Sequence, residues 1–232
     1  NYFNSKNIVK NKKWKALVTT GPTREYIDPV RYISNESSGK QGYEIAIALN
    51  KLGIKTTLIS GPSNLNSPKG LKIKKIISAD EMLNEVKKSL PVDLAVCAAA
   101  VADFKSIDEK KNKIKKENTN IKSINFVRNN DILEYISKNN KHRPRIVAGF
   151  SAETENLIKN SINKMKKKNC DLIFANDVSQ KDIGFNSNYN KVSVIDKKGN
   201  IKTIPKNKKS FIANKIAEIL LDKLLIDDRN IN

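Results

Sequence analysis

The feature that most constrains the fold is an alternation of short apolar runs with segments whose apolar residues recur at helical spacing. Residues 15–20 (KALVTT) form an apolar run that stops at Gly-Pro, and residues 39–52 carry apolar side chains three and four positions apart. Gly53 then occupies the position where a left-handed helix cap is favoured. Residues 55–60 (KTTLIS) repeat the apolar run and again stop at Gly-Pro. This order predicts a strand, a helix and a second strand.

The same alternation continues to the end of the chain. Further strands are predicted at 72–77, 93–98, 145–149 and 171–175, further helices at 78–90, 131–138, 154–169 and 211–225, and a hairpin at 192–204 around Lys-Lys-Gly-Asn. Such alternation is typical of folds in which helices join parallel strands and cover both faces of the sheet. The sequence therefore predicts a Rossmann-like α/β domain with a mostly parallel sheet, helices on both faces and an antiparallel edge hairpin.

Two segments fall outside this pattern. Residues 104–127 are polar, rich in lysine and weakly patterned, and such an interruption in a compact chain is usually a functional flap or an assembly arm. Residues 1–13 are basic and lack the apolar stretch of a signal peptide. We therefore predict a linker or leader segment at 1–13, an α/β domain at 14–232 and a flap or dimerisation segment at about 104–127.

The chain has a formal net charge of +20, from 44 Lys and Arg against 24 Asp and Glu. A balance this basic suits phosphate-rich partners, nucleic acids among them. However, only six of the basic residues are Arg and few aromatic residues lie between them, whereas proteins that read bases or bind single strands favour both types. We therefore expect a small phosphorylated ligand rather than a nucleic acid. No apolar run reaches the roughly 20 residues that span a bilayer, so no membrane partner is expected.

Cysteine and histidine are too few for the common catalytic or metal sites. Cys97 and Cys170 lie in apolar segments without a CxxC partner, and His142 is the single histidine. We expect both thiols to be reduced and buried, and we assign no metal ligands.

In a parallel sheet, ligands bind beyond the carboxyl ends of the strands, at loops that enter helices. The loop after the first strand supplies Arg24, Arg31, Asn35 and a Ser-Ser-Gly helix entry at 37–39. Arginine pairs with phosphate or carboxylate, and backbone N–H groups at a helix start hold anions, so this loop predicts an anion cradle. A long surface loop with ordinary helix capping is the alternative.

Candidate site residues also follow the later strands. Asp103 comes after the small residues 98–102, which would let a ligand approach the backbone, although close helix packing explains the alanines equally well. Lys113 lies on the 104–127 segment, where a mobile lysine could close over a polyphosphate. Lys164 and Lys168 are four residues apart and therefore share one helix face, which on spacing alone indicates a solvated face.

Over about residues 15–225, the chain resembles bacterial phosphopantothenoylcysteine synthetases. The resemblance is carried by five runs in the same order: GPTREYIDPVRYISNESSGKQG, AAAVADF, KIKK, VAGFSAET and DLIFANDVS. It implies a cytoplasmic enzyme of coenzyme A biosynthesis that uses CTP and Mg²⁺. The carboxylate of 4′-phosphopantothenate would attack the α-phosphate of CTP and release pyrophosphate, and the amine of L-cysteine would then displace CMP from the acyl-cytidylate. The resemblance also implies a homodimer and a flavin-dependent decarboxylase that is fused to the ligase or assembled with it.

The resemblance also implies roles for individual positions. Asn35, at the acyl-nucleotide intermediate, and Lys113, in the nucleotide-transfer step, would be catalytic. Arg31, Asn35 and Ala99 would bind substrate. The implied nucleotide-binding positions are Asp103, Lys113, Asn130, Asp131, Ile132, Leu133, Phe150, Lys164 and Lys168. Asn130 replaces the proline of the family's Asn-Pro-Asp-Ile segment, so the rigidity of that proline is lost.

Two other classes of function are alternatives to a ligase. A non-catalytic Rossmann-type module that binds nucleotides or nucleic acid would also account for the charge. A dinucleotide-dependent oxidoreductase is disfavoured, because the first loop lacks GxGxxG and places no acid for a ribose. The choice between CTP and ATP depends on the shape of the pocket around Phe150 and residues 98–100.

Overall fold

The computed structural model describes residues 14–115, 123–138, 141–179, 183–184 and 187–231. Within these residues the strands are β1 (Lys15–Thr20), β2 (Arg24–Asp28), β3 (Arg31–Ser34), β4 (Lys55–Ser60), β5 (Lys72–Lys75), β6 (Leu94–Cys97), β7 (Phe104–Ser106), β8 (Phe126–Arg128), β9 (Ile146–Glu153), β10 (Leu172–Asp177), β11 (Tyr189–Asp196) and β12 (Ile201–Lys208). The helices are α1 (Lys40–Lys51), α2 (Ala79–Ser89), α3 (Ile132–Lys138), α4 (Leu157–Lys168) and α5 (Lys209–Ile231). The linker predicted at 1–13 and residues 116–122 of the predicted flap lie outside the described residues.

Eight strands form the central sheet, in the order β12-β11-β10-β9-β6-β1-β4-β5. The six strands from β10 to β5 are parallel, whereas β11 and β12 form the antiparallel edge hairpin. The predicted fold class is therefore confirmed. Strand β1 lies between β4 and β6, so the chain leaves β1 toward one edge of the sheet and later returns on its other side. Ligands of such sheets bind at this switch point, beyond the carboxyl ends of the two strands.

The core has two layers because neighbouring residues of each strand face opposite sides of the sheet. Ala16 and Val18 of β1 pack in one layer with apolar side chains of α1 and α5. Leu17 packs in the other layer with α2, α3 and α4. Both faces are therefore covered by helices, as the alternation of elements predicts. Among the described residues, no helix combines the length and apolar character needed to cross a bilayer.

Helix α1 packs unusually close to the end of β1. A Cβ atom on Gly42 would lie 2.3 Å from the Thr20 Oγ1, so only glycine fits there. The Thr20 hydroxyl donates to the carbonyl of Gly39 at 2.7 Å, and Gly39 turns the chain into the helix with a φ of 75°. These contacts bring the N-terminus of α1 to the carboxyl end of β1.

Three regions differ from the sequence-based expectations. The segment predicted as a loop that forms an anion cradle contains the hairpin β2–β3, which is held by cross-strand contacts such as the edge-to-face pair of Tyr26 and Tyr32. The segment predicted to be irregular at 104–127 begins and ends with the paired strands β7 and β8, whose separation along the chain hides the pairing from local patterns. Strand β9 extends through Ser151 to Glu153, because both residues pair with β10, so the helix expected from 154 begins only at Leu157.

Candidate active site

A cleft of about 500 Å³ opens at the switch point, beyond the carboxyl ends of β1 and β6. Thr19 of β1 and Cys97 of β6 lie at its base, and the starts of α1, α3 and α5 form parts of its rim. Its volume falls in the range of small-molecule sites. The cleft gathers nine of the positions that the resemblance implies: Asn35, Ala99, Asp103, Asn130, Asp131, Ile132, Leu133, Phe150 and Lys164.

The loop after β1 is joined to the alanine run after β6, and this junction positions Asn35. The Thr23 side chain accepts a hydrogen bond from the Ala102 N–H at 3.0 Å, and the backbone N–H of Ala100 donates to the carbonyl of Gly21 at 2.9 Å. The Asn35 amide then donates from Nδ2 to the carbonyl of Val101 at 2.9 Å. The asparagine and the small residues therefore meet at one side of the cleft, although they are more than 60 residues apart in sequence.

The start of α3 forms a second side of the cleft. Asn129 is held by two hydrogen bonds to consecutive backbone carbonyls. Its backbone N–H donates to the Asp103 carbonyl at 2.9 Å, and its Nδ2 donates to the Ala102 carbonyl at 2.8 Å. The Asp131 carboxylate accepts from the backbone N–H of Glu134 at 2.7 Å and caps the helix. Asn130 in place of the family's proline therefore leaves this cap in place.

The two lysines of α4 have different surroundings. Lys164 is half-buried and lines the cleft, and no ion pair is formed by it within the described part of the chain. Lys168 lies outside the cleft lining, and its ammonium group pairs with Asp131 at 2.9 Å and with Glu134 at 2.7 Å. Hydrogen bonds from Lys138 and Lys168 hold the pKa of Glu134 at about 2. The structure therefore places Lys164 in the cleft lining and ties Lys168 to the start of α3.

Arg31 and Lys113 are not brought to the cleft lining in this structure. The Arg31 guanidinium pairs with Asp28 at 3.2 Å and donates to the carbonyl of Ile114 at 3.3 Å. The buried Asp28 carboxylate also accepts from the backbone N–H of Ile114 at 3.3 Å. Burial alone would raise the pKa of Asp28, but hydrogen bonds from the backbone of Val30, Ile114 and Arg31 and the Arg31 charge lower it. The KIKK segment is thus anchored to the β2–β3 hairpin with Lys113 exposed, and the implied roles of both residues stay predictions.

The cleft also contains polar residues that were not among the predicted site residues. Lys40 stands at the start of α1, and Lys209 stands at the start of α5 with only 4% of its surface exposed. Burial and the nearby Lys40 charge lower the pKa of Lys209 to about 8. Asn176 and Asn190 complete this side. Lys209 is one of many lysines in the sequence, and only the packing of α5 beside α1 distinguishes it.

Neither cysteine can act as a thiolate at neutral pH. Both are free; Cys170 is buried as expected, whereas Cys97 is half-buried because it reaches the base of the cleft. Burial raises the pKa of Cys97 to about 12 and that of Cys170 to about 11. Covalent catalysis by either thiol therefore has no support.

The carboxylates of the cleft fit a cation that enters bound to a ligand better than a cation that is held by the protein alone. No cluster of three His, Cys, Asp or Glu side chains able to hold a metal occurs within the ranges that the structure describes. Glu36, Asp103 and Asp131 line the cleft, and Asp131 is already paired with Lys168. Mg²⁺ keeps much of its water shell and usually needs only one or two protein carboxylates beside substrate phosphates. These residues therefore fit a magnesium ion carried by a nucleotide.

Sequence and structure comparisons agree on the relatives of this chain. A family model described as "DNA/pantothenate metabolism flavoprotein C-terminal domain" matches residues 11–224. The coenzyme A biosynthesis bifunctional protein CoaBC of Borreliella burgdorferi is 44% identical, over 95% of this chain and 55% of that protein. CoaBC of Escherichia coli K12 is 39% identical, over 94% of this chain and 54% of that protein. The chain thus spans about half the length of these curated relatives.

Solved structures extend the agreement to the fold. The crystal structure of the C-terminal domain of a CoaBC protein superposes with a TM-score of 0.76 at 32% identity, and covers 93% of this chain and 96% of its own. A DNA/pantothenate metabolism flavoprotein from Streptococcus pneumoniae gives 0.73 at 24% identity, with 92% and 99% of the two chains covered, and shows the fold alone. Because the family model matches residues 11–224, which is most of the sequence, this chain belongs to the family of the DNA/pantothenate metabolism flavoprotein C-terminal domain.

Proposed function

We propose that this domain is a phosphopantothenate–cysteine ligase, which joins 4′-phosphopantothenate and L-cysteine through an acyl-cytidylate made from CTP. The observation that carries the proposal is the cleft at the switch point, in a chain that matches almost all of the C-terminal domain of a CoaBC protein. Nine of the positions implied by the family resemblance line this cleft. The relatives are named for coenzyme A biosynthesis, which is the pathway we propose for this chain.

In the first step, a carboxylate oxygen of 4′-phosphopantothenate bonds to the α-phosphorus of CTP, and the bond to pyrophosphate breaks. This transfer needs cations and fixed hydrogen-bond donors around the phosphates rather than a protein nucleophile. Lys164 supplies a half-buried ammonium group in the cleft. Phe150, whose ring centroid lies 5.3 Å from that of Phe174, offers an apolar surface for the base. Mg²⁺ bound to the triphosphate would supply further charge neutralisation, and Asp103 is the residue that would hold it.

In the second step, the cysteine amine attacks the acyl carbonyl, CMP leaves, and the amine gives up a proton. Asn35 is held by its bond to Val101, so its carboxamide is fixed at the edge of the cleft before substrate binds. A fixed donor of this kind stabilises charge on an acyl oxygen without reorganising. The Cys97 thiol stays protonated, because burial raises its pKa to about 12, which supports direct aminolysis over an acyl-enzyme.

The domain is proposed to work as a homodimer assembled through its two hairpins. β2–β3 and β7–β8 pack against one another and expose Val30, Tyr32, Phe104, Phe126 and Val127. Their exposed fractions lie between 42% and 56%, which is large for apolar side chains that share one region. Light scattering at micromolar concentration is expected to give the mass of a dimer, and Phe126→Asp is expected to shift it toward the monomer. A monomeric wild-type chain would contradict the dimer.

A flavin-dependent decarboxylase, fused to this domain or assembled with it, is the further partner we propose. Its support is that the chain matches about half of bifunctional relatives. Action in the cytoplasm is proposed from the family resemblance alone.

The ligase reaction is tested by mass spectrometry of the product. Wild-type protein with CTP, Mg²⁺, 4′-phosphopantothenate and L-cysteine is expected to give phosphopantothenoylcysteine, and omission of Mg²⁺ is expected to abolish it. Asn35→Ala is expected to lower the rate at least about a hundredfold, as loss of one fixed donor to a developing charge does. Asn66→Ala is the matched control, since Asn66 is exposed and lies outside the cleft. Equal rates in both variants would refute the role of Asn35.

A further inference from the structure

Two lysines stand together on one rim of the cleft, away from the lysine pair of α4. Lys40 is the first residue of α1, and Lys209 is the first residue of α5. The Lys209 ammonium donates to the Gly184 carbonyl at 2.7 Å, and the Lys40 ammonium donates to Asn188 Oδ1 at 2.6 Å. Both side chains line the cleft. α1 and α5 pack on the opposite face of the sheet from α3 and α4, so this rim lies across the strand ends from Lys164.

This arrangement concentrates positive charge. The N-terminus of a helix carries a partial positive charge and normally favours acidic residues in its first turn. Neither α1 nor α5 has an acidic residue there, and each begins with a lysine. The two ammonium groups are close enough that Lys40 contributes to the lowered pKa of Lys209. Burying one ammonium group beside another is costly, and a bound anion offsets that cost.

The two helix starts are also fixed relative to each other. The Gln41 side chain donates from Nε2 to the backbone carbonyl of Lys209 at 3.3 Å. Its Oε1 accepts from the side chain of Asn190, which is 3% exposed, at 3.3 Å. Because Gln41 belongs to α1 and Asn190 to β11, these bonds hold the lysines in place before any ligand arrives.

We propose that Lys40 and Lys209 together bind a phosphoryl group of a substrate. Which substrate carries it rests on the proposed function. The phosphomonoester of 4′-phosphopantothenate is the favoured source, because several implied nucleotide positions, from Asp131 to Leu133 and Lys164, belong to the α3 and α4 rim. The terminal phosphates of the nucleotide are the other source of the same chemistry.

Binding of inorganic phosphate tests the site without any assumption about the reaction. Titrations followed by calorimetry are made on the wild-type chain, Lys40→Gln, Lys209→Met and the control Lys51→Gln. Lys51 is exposed at the other end of α1, so its loss changes the net charge equally. A charge-assisted hydrogen bond to phosphate is worth about a tenfold to hundredfold change in affinity. Lys40→Gln and Lys209→Met are each expected to weaken binding by that factor, and Lys51→Gln is expected to bind like the wild type.

If Lys209→Met fails to fold, Lys40→Gln alone still tests the site. Lys40 is half-exposed, so the melting temperature of Lys40→Gln is expected to be close to that of the wild type. In addition, wild-type phosphate binding is expected to weaken as the pH rises through about 8, where Lys209 loses its proton. Lys40→Gln removes the like charge, so this pH dependence is expected to move to higher pH. Absence of saturable binding in the wild type, or equal binding in Lys40→Gln and Lys51→Gln, would overturn the proposal.

Steady-state kinetics then distinguish the two sources. If the acyl substrate supplies the phosphoryl group, Lys40→Gln raises KM for 4′-phosphopantothenate and leaves KM for CTP nearly unchanged. If the nucleotide supplies it, KM for CTP rises instead. An unchanged KM for both substrates contradicts the site. A wild-type chain that binds phosphate through Lys40 but shows no ligase activity would contradict the proposed function and leave this phosphoryl site standing.

Discussion

Replacement of Lys168 by methionine tests whether this lysine supports the fold or contacts the nucleotide. The side chain is 13% exposed, and its ammonium group bridges Asp131 and Glu134 at the start of α3. Lys168→Met keeps the length and packing of the side chain but removes both ion pairs. We expect it to lower the free energy of unfolding at neutral pH by about 1–2 kcal/mol.

The magnitude follows from the pKa of Glu134. Its fall from 4.5 to about 2 corresponds to roughly 3 kcal/mol of preference for the ionised form. Lys138 and Lys168 share this stabilisation, and the carboxylate is 35% exposed, so screening by water reduces it. About 1 kcal/mol then remains for the Lys168–Glu134 pair, with somewhat less for Asp131, which is 42% exposed.

The pH dependence has a definite sign. A carboxyl group whose pKa is depressed on folding contributes stability above about pH 4.5 and loses it as the pH falls through about 2. The difference between wild type and Lys168→Met is therefore expected to be constant from pH 5 to 7 and to shrink below pH 4.5.

Urea unfolding at pH 7 and pH 3.5, on wild type, Lys168→Met, Glu134→Gln and the double variant, measures the pair directly. The coupling energy is expected to be about 0.5–1 kcal/mol at pH 7 and smaller at pH 3.5. Lys164→Met is the matched control, one turn away on α4: it is expected to leave stability unchanged and to raise KM for the nucleotide. Suppose that Lys168→Met leaves stability unchanged and raises KM for the nucleotide as much as Lys164→Met does. The main role of Lys168 is then nucleotide binding, and the assignment of its ion pairs to stability is refuted.

The other predictions concern packing, reactivity and charge. Gly42→Ala is expected to destabilise the protein by about 1–3 kcal/mol, because the added Cβ would lie 2.3 Å from Thr20 Oγ1. Thermal unfolding measures this loss, and an unchanged melting temperature would contradict the close packing of α1 on β1. Cys97→Ala is expected to keep most of the ligase activity, and loss of activity would indicate that the thiol takes part in the reaction. Wild-type Cys97 is expected to react slowly with iodoacetamide at pH 7, because burial raises its pKa to about 12. Duplex DNA is expected to show no specific binding at physiological salt, and a steep salt dependence of tight binding would favour the nucleic-acid alternative.

The sequence was a good guide to elements whose pattern is local. The run at 15–20 is β1, with the same boundaries, and the periodic segment at 39–52 is α1 with one flanking residue at each end. The edge hairpin forms around Lys-Lys-Gly-Asn, where Gly199 adopts a φ of 83°. These features are determined by the spacing of apolar side chains and by the residue types in the turn, both of which can be read from residues that are neighbours in the sequence.

Features that depend on distant contacts were harder to predict. β7 and β8 are three residues each and pair across about 20 residues, so neither has a recognisable period. Lys164 and Lys168 look equivalent in the sequence, and only the approach of α3 gives Lys168 its two acidic partners. Lys209 joins the cleft because α5 packs beside α1, a contact that spans about 170 residues. Most of the positions that the sequence resemblance implies line the cleft, whereas the charge pairing around them could be seen only in the fold.

Pyrophosphate release, measured with CTP, ATP, GTP and UTP in parallel, tests the central claim most directly. Each reaction contains the wild-type chain, Mg²⁺ and 4′-phosphopantothenate, with and without L-cysteine. We expect release that depends on 4′-phosphopantothenate and is fastest with CTP, with CMP and phosphopantothenoylcysteine accumulating only when cysteine is present. Absence of release with all four nucleotides, from protein that is folded and binds phosphate, would contradict the ligase function.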